Sequence, residues 1–409
     1  MRISVSNDGT EGNGGSFSPD ISADGQTVVF DSVATNLGAG DATDGILVRH
    51  GSEILRADVS TGGEPSNGYS SEPVVSGDGR YVAFRSQATN LVAQDTNGVT
   101  DIFVRDLHTL TTRRVNLSST GQQAVGEEDS PGAPDTGNRL AISGDGRYVT
   151  FGSRAANLVP GDTNGHQDVF VRDLTAETTT RASVGSQGQQ ALSENRSASI
   201  SADGRYVAFG SFAANLVAGD TNRRPDVFVR DLVARTTVRV NLSTRGDQAA
   251  SDPGTWSGLP SISGDGRSVA FVSTADNLGG LDSASAGERV YVRDLAAGTT
   301  TLAATQSRDT GRLYPGIPHI SDDGRYVTVE SDGSAEMSRG LFVRDMAVRG
   351  LTKVSVPYAD GQEPSWWSVT AAAISADGSQ VVFSSDHDQL VPNDTNEADD
   401  VFLHTLGRR

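Results

Sequence analysis

One stretch of sequence recurs along this chain and constrains its fold more than any other feature. Its clearest copy, ISADGRYVAFGSFAANLVAGDTNRRPDVFVRDL, spans residues 200–232. The other copies align with it on the Asp of its Asp-Gly pair. The aligned residues are Asp24, Asp78, Asp145, Asp203, Asp265, Asp323 and Asp377. Seven copies spaced 54 to 67 residues apart predict a repeat architecture in which each copy folds as one unit.

Each copy predicts four short β-strands, here named A to D. In the second copy, strand A ends at residues 74–76, strand B is 81–84, strand C is 101–107 and strand D is 111–117. Val, Phe, Tyr and Thr alternate with polar residues in these segments, which is typical of strands. The Asp-Gly pair between A and B predicts a hairpin, because both residues tolerate positive φ. No segment has helical periodicity.

Seven units of four antiparallel strands joined by tight hairpins predict an all-β fold, the seven-bladed β-propeller. The seventh copy lacks a strand D, whereas Arg2–Ser6 (RISVS) matches Arg114–Ser118 (RVNLS). We therefore expect the N-terminal strand to pair into the last blade and hide two strand edges. The predicted blades of this single domain are residues 15–60, 69–118, 134–184, 194–243, 256–305, 314–356, and 366–406 together with 2–6.

Composition narrows the classes of partner. The net charge of −19 disfavours nucleic acid and anionic lipid surfaces. There is no Cys for disulfides or thiolate metal sites. No apolar run approaches membrane-spanning length, so membrane insertion is not expected. The N-terminal residues MRISVSNDG contain no hydrophobic signal segment. Either the protein stays in the cytoplasm, or this chain begins after a removed signal.

The unit ISxDGRYVxF with a later VFVRDL resembles the WD40-like (PD40) repeat of the TolB-type propeller family, and the resemblance covers almost the whole chain. It implies the propeller fold, a protein-binding role and a secreted or periplasmic location. Relatives with this repeat also include propellers beside peptidase domains and a lyase of pectin fragments, so the resemblance leaves activity open. We expect a monomer.

The loops predict which face carries function. The A–B and C–D turns are short, whereas all length variation falls in the B–C and D–A loops, which lie on the opposite face. Variable loops on a rigid scaffold are where binding usually resides. All three Trp residues lie in D–A loops, before the strand that lines the channel. The predicted ligand-binding residues are Tyr69, Glu72, Glu194, Arg196, Trp256, Tyr314, Trp366 and Trp367.

Such a ring of aromatic and charged side chains suits a protein or carbohydrate ligand. The alternative is that each aromatic side chain packs between neighbouring blades. The residues alone do not separate these two interpretations.

Four B–C loops share Asp-Thr-Asn-x-x-x-Asp, with oxygen-bearing side chains at positions 1, 3 and 7. This spacing resembles the start of a calcium loop. The alternative is an Asx-turn, in which these side chains bond local amides without metal. The candidate calcium ligands are Asp95, Asn97, Asp101, Asp162, Asn164, Asp168, Asp220, Asn222, Asp226, Asp394, Asn396 and Asp400.

Known catalytic motifs are missing: we find no GxSxG, HExxH, P-loop or GxGxxG. His319 is the one His predicted near the channel. The sequence therefore favours a non-catalytic binding or scaffold propeller of the TolB-like type. The alternative is a carbohydrate-active hydrolase or lyase that uses carboxylates at the channel mouth, such as Glu72, Glu194 and Glu363.

Overall fold

A computed structural model describes residues 1–38, 44–125, 139–250, 252, 254–279, 287–307, 316–332, 339–358 and 369–407. Its regular structure consists of β-strands, and the described ranges contain no α-helix. Accordingly, they contain no helix long and apolar enough to cross a membrane.

The strands follow the repeat in chain order. In blades 1 to 3 they are β1 (Ser16–Ile21), β2 (Thr27–Ser32), β3 (Gly45–His50), β4 (Glu53–Arg56), β5 (Ser70–Val75), β6 (Tyr81–Ser86), β7 (Asp101–Asp106), β8 (Thr111–Arg114), β9 (Ala141–Ile142), β10 (Tyr148–Ser153), β11 (Asp168–Asp173) and β12 (Thr178–Arg181). In blades 4 and 5 they are β13 (Asn195–Ile200), β14 (Tyr206–Ser211), β15 (Asp226–Asp231), β16 (Thr236–Arg239), β17 (Ser257–Ile262), β18 (Ser268–Ser273), β19 (Gly287–Asp294) and β20 (Thr299–Ser307). In blades 6 and 7 they are β21 (Tyr326–Asp332), β22 (Arg339–Asp345), β23 (Gly350–Lys353), β24 (Val369–Ile374), β25 (Gln380–Ser385) and β26 (Asp400–Thr405).

The sheets confirm the predicted seven-bladed propeller. Blades 1 to 5 are four-stranded antiparallel sheets in the order A–B–C–D. Blade 6 has three regular strands, and the bridge between Ile320 and Val327 adds its A segment. Blade 7 also has three strands from its own repeat.

The N-terminal residues complete blade 7, as predicted. Arg2 forms an antiparallel bridge with Phe402. The amide of Ile3 donates to the carbonyl of Val401 at 2.7 Å, and the amide of Leu403 donates to Met1 at 2.8 Å. The hydroxyl of Ser4 also bonds the buried carboxylate of Asp400. The first residues of the chain therefore cover an edge that β26 would otherwise expose.

Among the described residues, the hydrophobic core consists of seven clusters, and each lies between two neighbouring blades. Alternate residues of the B and C strands point to opposite neighbours, which explains why those strands are buried on both faces. Phe84 stacks on Phe103 with ring centroids 5.9 Å apart, and the corresponding aromatic pair recurs in blades 3, 4, 5 and 7. In these five blades the aromatic pairs provide large buried surfaces that stabilise the packing.

The A–B turn differs in one respect from the hairpin expected from Asp-Gly. The Gly has positive φ in all seven turns, but the Asp does not. In blade 4 the amide of Gly204 donates to the carbonyl of Ser201, which makes a type I turn followed by a left-handed Gly. The Asp203 carboxylate accepts from the Ser201 hydroxyl and the Arg205 amide. The Asp therefore orders the turn through its side chain.

The A–B turns also form a closed ring, here called the lower ring, where the A strands end. Seven backbone hydrogen bonds of 2.9–3.1 Å link each turn to the next, including the link from blade 7 back to blade 1. The carbonyl of the residue between Ser and Asp accepts each of these bonds, and its amide donates in five blades, whereas the amides of Asp78 and Asp265 donate in blades 2 and 5. This residue is Ala or Gly in six blades and Asp322 in blade 6. The residues of the lower ring are Ala23, Gly77, Gly144, Ala202, Gly264, Asp322 and Ala376.

Candidate functional site

The A strands of all seven blades line a central channel with a cavity volume of about 700 Å³. The lower ring surrounds one end of it, and the B–C and D–A loops lie towards the other end, here called the upper end. Because the repeat supplies seven equivalent positions at each level, a side chain that departs from the pattern stands out. Two levels in the upper channel carry such departures.

These two levels lie four and six residues before each aligned Asp. At the first level the residues are Asp20, Val74, Ala141, Ser199, Ser261, His319 and Ala373. At the second level they are Ser18, Glu72, Arg139, Ser197, Leu259, Ile317 and Ala371. Ionisable groups occur only at Asp20, Glu72, Arg139 and His319. These four residues all line the cavity, and we call them the channel cluster.

Arg139 and His319 join opposite walls of the channel. Arg139 lies in blade 3 and His319 in blade 6, yet Nη1 of Arg139 is 2.7 Å from Nε2 of His319. Burial lowers the pKa of His319 well below its ordinary value, and the charge of Arg139 acts in the same direction. The imidazole is therefore neutral at pH 7, and its Nε2 accepts the hydrogen bond from the guanidinium.

Asp20 faces the same space from blade 1. Its Oδ2 accepts a hydrogen bond from the Val75 amide at 2.9 Å. Burial raises the pKa of Asp20 to about 6, although the Val75 and Ile21 amides and the Arg139 charge oppose this shift. A carboxyl group with this pKa exchanges its proton close to neutral pH.

A second acidic region lies between blades 1 and 2. Burial raises the pKa of Asp31 to about 6; a Ser18 hydrogen bond opposes this, and Glu72 and Asp44 add to it. Oδ1 of Asp31 is buried without a hydrogen-bond partner among the described residues. Burial also raises the pKa of Tyr69, and the same three carboxylates contribute.

Glu72 itself is held in place. Its backbone is left-handed, with φ of 54° at a β-bulge in the A strand. The equivalent residues Ser18, Ser197, Leu259 and Ala371 are also left-handed, so the bulge belongs to the repeat and only the side chain of Glu72 is distinctive. Nε of Arg85 donates to the Glu72 carboxylate at 2.9 Å.

The other predicted ligand-binding residues do not share one environment. Tyr69 is 36% exposed at the upper end. Arg196 lies over the exposed ring of Phe212, 5.8 Å from its centroid. Trp256 is half-buried against the core between blades 5 and 6, which supports the packing alternative for that residue. Tyr314, Glu363, Trp366 and Trp367 lie outside the described residues.

Glu194 does not line the channel. Its two carboxylate oxygens accept from Nη1 and Nη2 of Arg154 at 3.0 Å each, and His166 and the Gln167 amide also contact it. Burial opposes these contacts, but together they lower the pKa of Glu194. Because Glu72 lines the channel cavity and Glu194 does not, these two carboxylates do not form an acid/base pair over one open pocket.

The Asp-Thr-Asn loops already hold a positive group. Nη1 of Arg181 lies 3.1 Å from Asp162 and 2.8 Å from Asp168, in the space between the first and seventh residues of the motif. Asn164 donates to Asp168 at 2.9 Å. Arg114, Arg239 and Arg2 occupy the same place in blades 2, 4 and 7.

These arginines compete with any calcium ion for the predicted oxygen ligands. Calcium binding at the loops stays a prediction, while the contacts favour the alternative of ordered loops without metal. A sequence signal for the arginine existed, because it follows the first Asp of the motif by 19 residues in blades 2, 3 and 4.

Blade 7 departs from the other three loops. In blades 2, 3 and 4 the amide of the motif Thr donates to a Gln, at Gln123, Gln190 and Gln248. In blade 7 Glu11 replaces this Gln and accepts from Thr395 at 2.9 Å. Carboxylate oxygens of Glu11, Asp394 and Asp400 lie within 4.8 Å of one another, the one group of this kind in the described part of the chain.

The charges of this group are coupled. Burial raises the pKa of Asp394 to about 7 against the opposing charge of Arg2. The pKa of Glu11 is lowered to about 2, because hydrogen bonds from Thr395 and Arg2 outweigh its burial. Arg2 contacts all three carboxylates.

Comparisons with known proteins show the fold and no closer relationship. No protein-family model and no curated protein matches the sequence. An oligogalacturonate lyase in complex with manganese is similar over 95% of this chain and 88% of its own, with 13% identity and a TM-score of 0.54. The β-propeller domain of the Trilobed protease from Pyrococcus furiosus, described as having an open velcro topology, is similar over 91% and 89%, with 13% identity and a TM-score of 0.50.

TolB from Acinetobacter baumannii is also among the similar structures. It has 15% identity over 83% of this chain and 62% of its own, with a TM-score of 0.42. The identities are too low to carry function. The propeller fold is supported by the two structures with TM-scores of 0.54 and 0.50, and the TolB-type family is not confirmed.

Proposed function

We propose that this protein is a non-catalytic binding propeller that takes a protein or glycan ligand at the upper end of its central channel. One observation carries the proposal: ionisable side chains break the repeat at Asp20, Glu72, Arg139 and His319, and all four line the channel. Structural needs common to all blades do not account for them, because the other blades place small or apolar residues there. Polar groups that converge on a cavity of about 700 Å³ are typical of ligand sites.

The contacts within the cluster favour binding over catalysis. His319 is neutral and already accepts from Arg139, so its Nε2 is not free to act as a base. Glu72 is paired with Arg85. A guanidinium and a carboxylate that are each held by protein partners are suited to recognise a ligand.

A carbohydrate lyase or hydrolase is the second candidate, and Asp20 is the observation that favours it. Its pKa of about 6 would let it exchange a proton near neutral pH. Incubation with acidic and neutral oligosaccharides, followed by ultraviolet absorbance and reducing-end assays, tests this candidate. Turnover that Asp20→Asn abolishes would replace the binding proposal.

Blocking the channel tests the binding function. Ala141 lines the cavity, so Ala141→Trp places a large side chain inside it. Val233 is exposed in the C–D turn of blade 4, so Val233→Trp is the matched control on the surface. Glycan and peptide arrays probed with both variants should show ligands that bind the wild type and the control but are lost with Ala141→Trp. Ligands that survive the block would place the binding surface elsewhere.

A further inference from the structure

We infer that the channel cluster recognises a carboxylate group of a small ligand, and that Arg139 is the residue that holds it. This inference rests on the proposed binding function and specifies the chemistry of that same site. Three observations support it: Arg139 lines the cavity, it donates a hydrogen bond to His319, and no carboxylate among the described residues forms an ion pair with it.

Within the described part of the chain, Arg139 forms no ion pair at short range. Among those residues its one hydrogen-bond partner is the neutral imidazole of His319, and no carboxylate there lies within the 4.0 Å of an ion pair with it. Other arginines of the blades either contact carboxylates or donate to backbone carbonyls. The first group includes Arg85, Arg114, Arg181 and Arg205, and the second includes Arg105, Arg172 and Arg230. Arg139 has neither kind of partner among the described residues. In a chain of net charge −19, such a guanidinium on the channel wall is conspicuous.

The hydrogen bond to His319 positions this guanidinium. His319 belongs to the opposite wall, so the bond stretches the Arg139 side chain across the channel. A neutral imidazole takes one N–H of the guanidinium and does not neutralise its charge. The Asp20 carboxyl group, on whose pKa the Arg139 charge acts, lies beyond ion-pair distance. Since a guanidinium has five N–H donors, donors remain for a ligand, and their planar arrangement matches the two oxygens of a carboxylate.

The surrounding charges limit the ligand to a monoanion. Asp20 and Glu72 line the same cavity, and the protein as a whole is strongly acidic. Phosphate esters and other multiply charged anions would be repelled by these groups. Asp20 in its protonated form can also donate a hydrogen bond to a carboxylate oxygen. A cavity of about 700 Å³ is of a size that takes small molecules.

Matched pairs of acids and amides test the carboxylate directly. Propionate with propionamide, benzoate with benzamide, and glucuronate with glucuronamide differ in charge but hardly in shape. Binding is measured at low salt by calorimetry and by ligand-observed NMR. We expect at least one acid to bind about ten-fold more tightly than its amide, because a charge-assisted bidentate contact contributes this much. Comparing glucuronate with propionate and benzoate also distinguishes a sugar acid from a simple organic acid.

Variants of Arg139 identify the residue. Arg139→Met keeps most of the side-chain volume and should abolish the preference for acids, whereas Arg139→Lys should retain part of it. Arg267 is 76% exposed on the lower face, so Arg267→Met is the charge-matched control and should bind as the wild type does. Circular dichroism and melting establish that each variant folds; if Arg139→Met does not, Arg139→Lys and its intermediate affinity decide.

His319 is argued to act by positioning. His319→Gln keeps an acceptor for Arg139 and should retain the preference for acids better than His319→Leu does. Equal affinity for acids and amides, no binding of any acid at millimolar concentration, or unchanged acid binding by Arg139→Met would each overturn the carboxylate assignment. Amides that bind and are lost in Ala141→Trp would leave the binding function standing while the carboxylate class fails.

Discussion

At the lower end of the channel all seven blades present the same Ser-x-Asp-Gly turn, whereas at the upper end four blades carry an ionisable side chain that the others lack. The lower turns are linked into a ring by backbone hydrogen bonds, and each Asp is used by its own turn. The upper groups make contacts across the channel that no other blade repeats within the described ranges, such as that of Arg139 with His319. Regular positions in this propeller maintain the ring, and the departures from the repeat are the positions on which the proposed binding site rests.

The largest expected effect comes from removing residues 1–6, which tests whether the lower ring alone keeps the propeller closed. The deletion removes Arg2 and Ser4 from Asp400, whose side chain is fully buried. We expect the free energy of unfolding to fall by about 3–5 kcal/mol, because a buried charge loses its partners and a strand edge is exposed. Chemical denaturation measures the change. An unchanged free energy of unfolding would mean that the backbone hydrogen bonds of the lower ring are sufficient to keep the propeller closed.

A substitution within the lower face should have the next largest effect. Gly204 has φ of 72°, and a Cβ there would overlap the ring of Tyr148 in the neighbouring blade. Gly204→Ala should destabilise the protein by about 3 kcal/mol, the sum of the left-handed backbone cost and the displaced ring.

Gly219 is the matched control for that substitution. Its φ is 73°, but nothing lies within 4 Å of the position that an added Cβ would take. Gly219→Ala should therefore cost only the backbone contribution of about 1–2 kcal/mol. Equal losses in thermal denaturation for the two variants would contradict the contact between blades 3 and 4.

At the upper end, in contrast, replacing a buried carboxylate should increase the stability of the protein. Asp31 is buried with a pKa of about 6, above the value of 3.8 that applies to an unfolded chain. A raised carboxyl pKa penalises folding once the group ionises, so the penalty develops as pH rises from about 4 to about 6 and is complete above that range. Asp31→Asn should therefore be more stable than the wild type at pH 7.5, by about 1–2 kcal/mol, and no more stable near pH 4.

The corresponding change on the lower face provides the contrast. Asp203 accepts hydrogen bonds from Ser201 and Arg205 in its own turn, so Asp203→Asn should not stabilise the protein at pH 7.5. Melting temperatures over a pH series check both variants. A gain in Asp203→Asn equal to that in Asp31→Asn would remove the distinction between the two ends.

The smallest effect concerns the loops of the upper face that do follow the repeat. Arg181 lies between Asp162 and Asp168, where the sequence predicts calcium. Arg181→Met frees both carboxylates, so calcium affinity should be greater in this variant than in the wild type, within the weak range of about 10⁻⁴–10⁻³ M known for extracellular modules. Calorimetric titration checks this. Wild-type binding as tight as that of the variant would show that arginine and calcium do not compete.

Much of the fold could be predicted because each blade repeats the same local pattern. The Asp-Gly turns, the alternating B and C strands and the match between Arg2–Ser6 and Arg114–Ser118 are all short-range or periodic signals. The conformation of the turn was less predictable, because Asp203 orders it through its side chain while only Gly204 becomes left-handed.

The candidate site was harder to predict. Glu72 lies on the channel wall, whereas Glu194, at the position equivalent to Trp256, is bound by Arg154 on a neighbouring loop. Asp20 and Arg139 could have been found by comparing equivalent A-strand positions. Their sequence neighbours alone do not distinguish them from ordinary surface charges.

By itself, the sequence determined the number of blades, the strand order and the N-terminal closure, because these depend on local propensity and on a pattern repeated seven times. Only the tertiary structure decided which charges meet. Arg139 and His319 are 180 residues apart and come together because closure of the ring places blades 3 and 6 on opposite sides of one channel. Burial in that channel then makes His319 neutral and raises the pKa of Asp20 to about 6, since desolvation depends on the packing of all seven blades.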